Sequence, residues 1–531
     1  MGFCVKNDNL HSRLSCCIIP SCRENLRTSR FSLKEALIHS SARLSVLPYF
    51  FDKRKVLTIN MNQSDKTQKL TFHIVDSPMG MGKSSSLLDY LRFGAFYFND
   101  TYLESLKRTG LFNDVDKSRF IIFVSTIRER DERFLQELNA KCPGEPPYNK
   151  SILELIRDGE NIVTTQSLFG LFNDETIEAF RKSDCAYHAF FDEIPSLFRA
   201  AIGGAQRPDN FDGVARFGTA DVLLMQQEHM IVNKNGIVEF NADCDYNRNH
   251  KEYKVFDAVK YLSRSCTLYP SGNKDGRFTS IVAFAKKELF SCFKFCWFFS
   301  YLTHGSMLHK YCLLNDIHME YYHINNGLIT RNPDGKFEET YPEGMERLVI
   351  LDDSLFNMES SLSKEWYKRL RTDKTGTGLK TLKTRFRNAY EFMQAHGVRG
   401  KTFMFTVFNA CKDMLDSDGR HYPTLKRFLP CNTKATNDYS SCTGVAYLCN
   451  RFFDVNCTNF LAQRAKEQNN PELEFDNDNY ALSELLQFIW RSNVRVKDSD
   501  KPVYVWVPDN HMRRLLQDFR QRALDCKKDK G

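Results

Sequence analysis

With 531 residues, the chain is long enough for about two or three domains. A hydrophobic content of 42% is ample for their cores, and 26% charged residues is ordinary for a soluble protein. The most apolar stretch, around 292–303, is too short for a transmembrane helix and contains Lys294, and the N-terminus lacks the apolar core of a secretory signal, so both segments are excluded. The formal net charge of +8 gives a mild bias towards a polyanionic partner.

The 17 cysteines favour buried free thiols in a reducing compartment over a disulfide framework. Cys292, Cys296 and Cys449 lie inside apolar runs, and no two C-x-x-C pairs occur, which argues against structural zinc. The expected location is therefore the cytoplasm, with no membrane partner. Residues 1–65 are predicted to be an N-terminal extension that is poorly ordered.

Residues 77–84 read Ser-Pro-Met-Gly-Met-Gly-Lys-Ser, which is the phosphate-loop pattern G-x-x-x-x-G-K-[ST] with serine in place of the first glycine. A strand-like run (70–75) precedes the loop, and a helical pattern follows it. This order is the context that phosphate binding needs, although a Gly-rich turn can also simply join a strand to a helix. The predicted nucleotide-binding residues here are Ser77, Pro78, Met79, Gly80, Met81, Gly82, Lys83, Ser84 and Ser85.

The loop residues have distinct predicted roles. Gly80 and Gly82 allow backbone amides to point at phosphate oxygens. Lys83 would bind the β- and γ-phosphates of ATP, and the Ser84 hydroxyl would be a ligand of Mg²⁺. ATP and Mg²⁺ are therefore the predicted cofactors.

From residue 66 to about 200, strands alternate with helices, a pattern typical of a parallel α/β sheet. Two predicted strands end in hydroxyl residues, at 124–126 and 163–166. Such edges contact the nucleic-acid backbone in motor domains, but hydroxyl residues are also ordinary in turns and helix caps. Residues 203–250 are predicted to be loops or a small insertion, and the first domain is predicted to span 66–250.

An acidic pair, Asp192-Glu193, follows an apolar run at the carboxyl end of a predicted strand. That edge of a parallel sheet faces the same crevice as the phosphate loop, and the pair resembles a Walker B motif. Asp192 would organise Mg²⁺, and Glu193 would orient or deprotonate the attacking water. Strands often end in acids, so this prediction depends on the phosphate loop about 110 residues upstream.

Residues 251–525 are predicted to form a second α/β domain. Its strand-like runs are 280–285, 347–352, 402–408 and 503–508, and helical patterns cover 483–490 and 511–519.

The segment 366–387 holds eight Lys or Arg residues against one Asp, with Trp366, Tyr367 and Phe386 among them. This mixture suits a groove for single-stranded nucleic acid, in which cations neutralise phosphates and rings stack on bases. A solvated basic loop is the equally weighted alternative.

Gln487, Arg491 and Arg495 are four residues apart, which predicts that they share one face of a helix. An arginine from a second domain would stabilise charge on a transferring phosphoryl group. The run resembles the helicase motif VI pattern Q-x-x-G-R-x-x-R, except that the arginines are four apart instead of three, so Arg491 is the stronger candidate.

Taken in order, these motifs resemble the helicase-like P-loop ATPases encoded by tailed phages, a divergent group of superfamily 2. The resemblance covers about 66–520, and its more specific signatures are KATN and ALSELLQFIWRS. The resembling stretches are 76–85, 120–134, 158–169, 189–195, 298–308, 429–439, 445–453, 478–495 and 503–516.

The resemblance implies two RecA-like parallel-sheet domains with ATP in the cleft between them. It implies a motor that moves along or unwinds single-stranded or forked DNA in phage replication or recombination, with replication proteins as partners, in the cytoplasm of the bacterial host. The catalytic residues that it implies are Lys83, Asp192, Glu193 and Arg491. Ser84 and Asp192 would be the Mg²⁺ ligands, and Gln487 and Arg495 would be further nucleotide contacts.

The same resemblance places Thr303 where motif III couples hydrolysis to domain movement, and Thr436 and Asn437 near the interdomain cleft. Gln166 stands where the resemblance leads one to expect a histidine, and Asp192-Glu193-Ile194-Pro195 is not the DEAD or DEAH form.

Other functions stay open. A DNA-packaging motor would add a nuclease, for which Asp352-Asp353 is the candidate carboxylate pair. A small-molecule kinase needs no second α/β domain, and a GTPase would want N-K-x-D, where residues 232–236 have glycine in place of the acid. From another class, the chain could be a nucleic-acid-binding protein whose ATPase is regulatory or degenerate, against which the intact loop and acidic pair argue.

Overall fold

Strands and helices alternate along the chain, as the sequence predicts. The structure is a computed structural model that describes residues 69–97, 118–144, 146–200, 218–241, 244, 251–325, 327–416, 424–431, 433 and 438–529. The predicted N-terminal extension, Thr436 and Asn437 lie outside the described residues.

The elements are numbered in chain order. The strands are β1 Thr71–Asp76, β2 Ser118–Val124, β3 Ile162–Thr165, β4 Ala186–Asp192, β5 Phe198–Ala200, β6 Ile231–Lys234, β7 Ile237–Phe240, β8 Cys266–Ser271, β9 Ser280–Ala285, β10 Phe295–Ser300, β11 His318–Asn325, β12 Leu328–Arg331, β13 Leu348–Ile350, β14 Phe403–Thr406, β15 Gly444–Tyr447 and β16 Val503–Trp506. The α-helices are α1 Lys83–Tyr97, α2 Ile127–Glu129, α3 Leu135–Glu137, α4 Tyr148–Arg157, α5 Gln166–Phe169, α6 Asp174–Lys182, α7 Thr219–Gln227, α8 Lys251–Ser265, α9 Glu288–Ser291, α10 Met307–Leu314, α11 Lys364–Thr372, α12 Thr377–Ala395, α13 Val455–Glu467, α14 Asn477–Ile489 and α15 Asn510–Asp529. None of these helices is both long enough and apolar enough to cross a membrane.

The first sheet has seven strands in the order β12-β11-β1-β10-β4-β2-β3. All neighbours are parallel except the β11–β12 hairpin. Parallel strands are covered on both faces, which explains why their sequences are nearly continuous apolar runs. In β4 and β10, Phe191 and Phe298 are fully buried and stack with their ring centroids 4.8 Å apart.

The strand between β1 and β4 comes from a distant part of the chain. β10 (295–300) pairs in parallel with both of these strands, and β11 continues the sheet on the other side of β1. The first sheet therefore takes strands as far as Arg331, and the boundary predicted at residue 250 does not separate the two sheets. The sequence could not show this because hydrogen-bonded register, and not order along the chain, decides which strands become neighbours.

Residues between β4 and β10 include an insertion. In it, β5, β9 and β8 form a three-stranded antiparallel sheet, and β6 and β7 form a hairpin. The run 280–285, predicted as a strand of the second domain, is a strand of this small sheet instead. The Asn-Lys-Asn-Gly run that was compared with a GTPase motif is at the hairpin turn, where Asn235 and Gly236 have φ values of 54° and 79°.

The second sheet has the order β13-β16-β15-β14 and is entirely parallel. Its strands match the runs predicted near 347–352, 402–408 and 503–508. One face packs against α12, which buries Leu382 and Phe386, and the other against α14 and α15, which bury Leu485 and Leu516. The predicted fold class, α/β with two parallel sheets, is confirmed.

The two sheets share their hydrophobic cores. Phe460 and Leu461 of α13, which follows a strand of the second sheet, are buried in the core of the first. Conversely, Tyr301 and Leu302, which follow β10, belong to the core beneath α14, and Met79 of the phosphate loop packs against that core. The carboxyl edge of the first sheet is thereby held close to the end of α14.

Candidate functional site

The phosphate-loop segment has the predicted strand, turn and helix. β1 ends at Asp76, and α1 begins at Lys83. Gly80 and Gly82 have φ values of +83° and +80°, a backbone region in which a side chain is strained. The Ser86 amide donates to the Gly82 carbonyl at 2.8 Å, so the first helical turn follows the second glycine directly.

Ser77, the residue in place of the usual glycine, has a structural role of its own. It is buried, and its Oγ accepts a hydrogen bond of 2.7 Å from the Ile324 amide of β11. Its own amide donates to the Ser300 carbonyl of β10 at 3.0 Å. A glycine here would leave the Ile324 N–H without this acceptor, which gives a physical reason for the serine.

Lys83 and Ser84 lie at the start of α1. The Lys83 ammonium donates to the carbonyls of Ser77 (2.7 Å) and Pro78 (3.3 Å). Burial lowers the pKa of Lys83, against the opposing charges of Glu193, Asp76 and Asp192. The Ser84 hydroxyl lies 3.3 Å from both carboxylate oxygens of Asp192.

The other predicted loop residues have different environments. The Met81 amide approaches the Pro78 carbonyl at 3.5 Å, which closes the turn. The Ser85 hydroxyl accepts a hydrogen bond of 2.8 Å from Arg133.

The acidic pair lies where the sequence predicts, at the carboxyl end of β4. Asp192 is 5% exposed, and its pKa is raised well above the ordinary value by burial and then by the negative charge of Glu129. Glu193 has a φ of 79°, unusual for a residue with a side chain. The sequence analysis did not predict Glu129 as part of the site.

Two side chains from neighbouring strand ends bind the backbone of this pair. Gln166 Nε2 donates to the carbonyls of Asp192 (3.0 Å) and Glu193 (2.9 Å), and the Ser125 hydroxyl donates to the Asp192 carbonyl (3.3 Å). Thr126 caps α2 by accepting from the Glu129 amide at 3.1 Å. Turn and cap contacts thus account for Ser125, Thr126 and Gln166, which lie on the edges that were compared with a nucleic-acid contact.

Asp76 is a second residue that the sequence analysis missed. Its buried carboxylate accepts from the amides of Leu302 (3.1 Å) and Thr303 (2.8 Å) and from the Thr303 hydroxyl. The side chain of Asn479, on α14, donates to the carbonyls of Leu302 (3.3 Å) and His304 (2.8 Å). Thr303 therefore lies in a loop that contacts both β1 and α14. The sequence did contain a signal for Asp76, since an acidic residue ends the strand directly before the phosphate loop.

The arginine segment differs from the prediction in its local structure. Helix α14 ends at Ile489, so Gln487, Arg491 and Arg495 do not share the face of one helix. Arg495 lies in a short 3-10 turn, Asn493–Arg495. Beyond the helix, the amide of Asn493 donates to the carbonyl of Cys442 at 2.8 Å, which ties this backbone to the segment before β15.

Both arginines nevertheless reach the site. Arg491 is 9% exposed, and burial lowers its pKa to about 10. The negative charge of Glu193 partly opposes this shift. The Nη1 of Arg491 donates to the Cys431 carbonyl at 3.5 Å. Burial also lowers the pKa of Arg495. The positive charge of Arg495 in turn helps to lower the pKa of Lys83. The Cβ of Arg495 lies 3.9 Å from the position that a Cβ would take at Gly80.

A cavity of about 420 Å³ lies beside the acidic pair. The first sheet contributes residues after β3 and β4, among them Gln166 and Pro195, and the second contributes Arg451, Gln487 and Arg491. Gln487 thus lines this cavity next to Arg491, while the loop residues do not.

The residues of the phosphate loop, together with Asp192, fit the predicted ATP and Mg²⁺. The two positive-φ glycines and the amino end of α1 suit phosphate oxygens, and Lys83 adds a cation. A serine hydroxyl beside a buried carboxylate is the oxygen set that Mg²⁺ prefers.

The nucleic-acid prediction for 366–387 is wrong in one respect. Tyr367 and Phe386 are fully buried in the core of the second sheet, and Trp366 packs edge-on against Tyr367, so these rings do not form a base-stacking row. Exposed Lys and Arg side chains account for the basic character of α11 and α12, among them Lys368 and Arg369.

The carboxylate pair considered for a nuclease has structural partners. Asp352 accepts from Arg513 (3.0 Å) and Gln517 (2.8 Å), and Asp353 accepts from the Leu355 amide (2.7 Å). No cluster of three or more potential metal ligands occurs among the described residues.

The strand order and the loop geometry define the class of the protein: an α/β protein with two parallel sheets whose first strand leads through a Gly-rich turn into a helix. Residues 344–520, which span the second sheet, match the family model described as the YonV C-terminal Rossmann-like domain. The chain is 24% identical over 464 residues to the "SPbeta prophage-derived uncharacterized protein YonV" of Bacillus subtilis (strain 168), which covers 84% of this chain and 98% of that relative. This similarity to a prophage-derived protein supports the resemblance to phage-encoded proteins.

Among solved structures, one described as "Structure of S. tokodaii Xpd4" is similar over 85% of this chain and 94% of that chain. The sequence identity is 11%, and the TM-score is 0.40. A likeness of this degree is weak, and the fold assignment depends on the strand pairing given above.

Proposed function

We propose that the chain is a Mg²⁺-dependent ATP hydrolase of the helicase or translocase type, acting on DNA in phage replication or recombination. One observation carries the proposal: Ser84 of the phosphate loop lies beside Asp192, Arg495 lies beside Gly80, and the charge of Glu193 acts on Arg491. Both arginines come from the segment that follows α14, which packs on the second sheet. A catalytic site divided between two sheets changes when they move, which is what a motor requires.

The first sheet supplies phosphate binding. In the nucleotide complex, Lys83 exchanges its two carbonyl acceptors for phosphate oxygens, and the amides after Gly80 and Gly82 add hydrogen bonds. Ser84 and Asp192 would hold Mg²⁺, which would neutralise charge on the phosphates.

The acidic pair and the second sheet supply catalysis. Glu193 accepts the proton of the attacking water, and Arg491 and Arg495 offset the charge that develops on the phosphoryl group. Burial of Arg491 strengthens this effect because charges interact more strongly where water is excluded.

The DNA part of the proposal depends on charge. Exposed cations on α11, such as Lys364, Lys368 and Arg369, and Lys374 in the turn before α12 would bind phosphates of single-stranded or forked DNA. The prophage-derived relative supports the phage part of the proposal, and the role that we propose is in phage DNA metabolism in the cytoplasm of the host. The alternative is an ATPase that only regulates nucleic-acid binding.

The test is phosphate release from Mg-ATP by the purified chain, alone and with single-stranded DNA, duplex DNA or RNA. We expect hydrolysis that single-stranded DNA stimulates. Hydrolysis without stimulation by any nucleic acid would contradict the motor and favour the regulatory alternative, and no hydrolysis under any condition would contradict the enzyme.

Two variants assign the chemistry. Lys83→Ala should reduce hydrolysis by about 100-fold or more, while Lys69→Ala, a surface lysine paired with Asp316, should not. Glu193→Gln should bind ATP without turning it over. Normal turnover by Glu193→Gln would show that Glu193 is not the residue that activates water.

A further inference from the structure

The turn at Asp192-Glu193 has a conformation that its own sequence does not favour. Glu193 has a φ of 79°, a region in which a side chain is strained, so neighbouring groups must stabilise it. We propose that Gln166 is a positioning residue, which holds the Glu193 backbone in this conformation and so aims the Glu193 carboxylate at the nucleotide. The inference rests on the proposed ATP hydrolysis.

One side chain spans the whole turn. Gln166 Nε2 donates to two consecutive carbonyls, those of Asp192 (3.0 Å) and Glu193 (2.9 Å). The Glu193 amide donates to the Phe299 carbonyl at 3.0 Å, and the Ser300 hydroxyl donates to the Glu193 carboxylate at 3.3 Å. The Ser125 hydroxyl also donates to the Asp192 carbonyl at 3.3 Å, whereas Gln166 binds the carbonyl of Glu193 as well, so its loss frees that second carbonyl.

The donor is itself fixed in place. Gln166 is the first residue of α5, directly after β3. In the same short helix, Phe169 is 2% exposed and packs edge-on against Phe191, with ring centroids 5.1 Å apart, and against Phe123 at 5.2 Å. Phe191 immediately precedes Asp192. Helix α5 is therefore packed against β4, the strand that leads into the turn. The side-chain amide of Gln166 consequently needs little reordering to bind the carbonyls of the turn.

The position of Gln166 also links the turn to the second sheet. Gln166 lines the cavity that Gln487 and Arg491 border from the other side. A shift of the segment after α14 would change the surroundings of this side chain, and its two hydrogen bonds would pass that change to Glu193. A residue that merely fastens β3 to β4 would have no such effect on turnover.

The first test is Gln166→Met, which keeps the length and packing of the side chain but removes the amide donor. We expect kcat for ATP to fall about tenfold or more, because the carboxylate loses its orientation, while the Kd for ATP stays near that of the wild type and the unfolding temperature falls no more than in the matched control. The matched control is Gln226→Met. Gln226 is a half-buried glutamine of the insertion that also donates to two carbonyls, those of Val222 (3.1 Å) and Phe278 (2.7 Å), and its loss should leave kcat unchanged.

The second test is a double-mutant cycle with Glu193→Gln, in which single-turnover experiments over long times measure the slow residual hydrolysis that a steady-state assay of this variant does not detect. If Gln166 acts through Glu193, Gln166→Met should cause no further loss in the Glu193→Gln background. A multiplicative loss, or a wild-type kcat in the single variant, would overturn the inference while the proposed ATPase stands. Absence of hydrolysis in the wild-type protein would instead overturn the proposed function, and the inference with it. If Gln166→Met does not fold, Gln166→Leu, a neutral side chain without a donor, takes its place with the same expectations.

Discussion

The phosphate loop and the arginine segment (491–495) lie next to each other, with Arg495 beside Gly80, but different contacts hold them in place. The loop is fixed through both backbone and side chains: Ser77 binds two strands, and Asp76 binds the 302–303 loop. In the arginine segment, hydrogen bonds fix the backbone and the side chain of Asn493 but hold the two arginine side chains weakly. Arg491 has one long hydrogen bond of 3.5 Å, and within the described part of the chain no hydrogen bond or ion pair holds the Arg495 guanidinium.

The difference separates stability from turnover. Substitutions on the loop side should cost folding free energy because they leave buried partners without hydrogen bonds. Substitutions of the arginines should cost catalysis with little effect on folding, because these side chains have few partners to lose. A ligand between the two segments would contact a loop fixed by many hydrogen bonds on one side and arginine side chains with few hydrogen bonds on the other.

The largest expected effect tests the arginine side. Arg491→Ala should lower kcat for ATP by about 100-fold or more without changing the unfolding temperature, because the loss concerns charge stabilisation in the transition state. Arg495→Ala should have a smaller effect, about tenfold. Steady-state phosphate release and thermal unfolding measure both, with Arg514→Ala, an exposed arginine on α15, as the control. If Arg491→Ala lowered stability but left kcat intact, the arginine segment would contribute to folding and not to catalysis, which contradicts the comparison.

The pH dependence of stability at Asp76 tests how much the contacts of the phosphate-loop side contribute to the free energy of unfolding. Burial raises the pKa of Asp76 above its ordinary value of 3.8, although hydrogen bonds from Thr303 oppose the shift. The folded state therefore retains a proton that the unfolded state has lost, so the stability from this group is fully present below about pH 3.8 and is lost as pH rises through the folded pKa.

The corresponding variant is Asp76→Asn, measured by urea unfolding between about pH 4.5 and 8. It should lower the free energy of unfolding by about 1–3 kcal/mol, because the amide group cannot accept from all three donors at once. The stability advantage of the wild type over the variant should shrink as pH rises. An advantage that grows with pH would contradict the assigned direction of the pKa shift.

The smallest effect concerns the serine in place of glycine. Ser77→Ala should lower the free energy of unfolding by about 1 kcal/mol, because the buried Ile324 amide loses its acceptor. Ser354→Ala, an exposed serine next to Asp353, is the control, and its effect should lie within about 0.5 kcal/mol. Equal stability of Ser77→Ala and wild type would mean that the bond to β11 contributes nothing.

Local patterns predicted the elements well where chemistry and periodicity agreed. Gly80 and Gly82 require positive φ, and both have it. The apolar run before Asp192 became a buried strand, as expected. The same kind of reasoning failed for Tyr367 and Phe386, because a ring beside a lysine in the sequence lies on a different face of the helix. Burial, and not neighbourhood, decided their role.

The sequence by itself determined the two-sheet α/β class, the strand–turn–helix at the loop and the position of the acidic pair at a strand end, because these depend on contacts within a few residues. Only the tertiary structure decided that β10 inserts between β1 and β4, that α14 stops before Arg491, and that Gln166, Glu129 and Asp76 surround the site. These features depend on hydrogen bonds and packing between segments far apart in the chain, such as Asn493 with Cys442, and no local pattern encodes them.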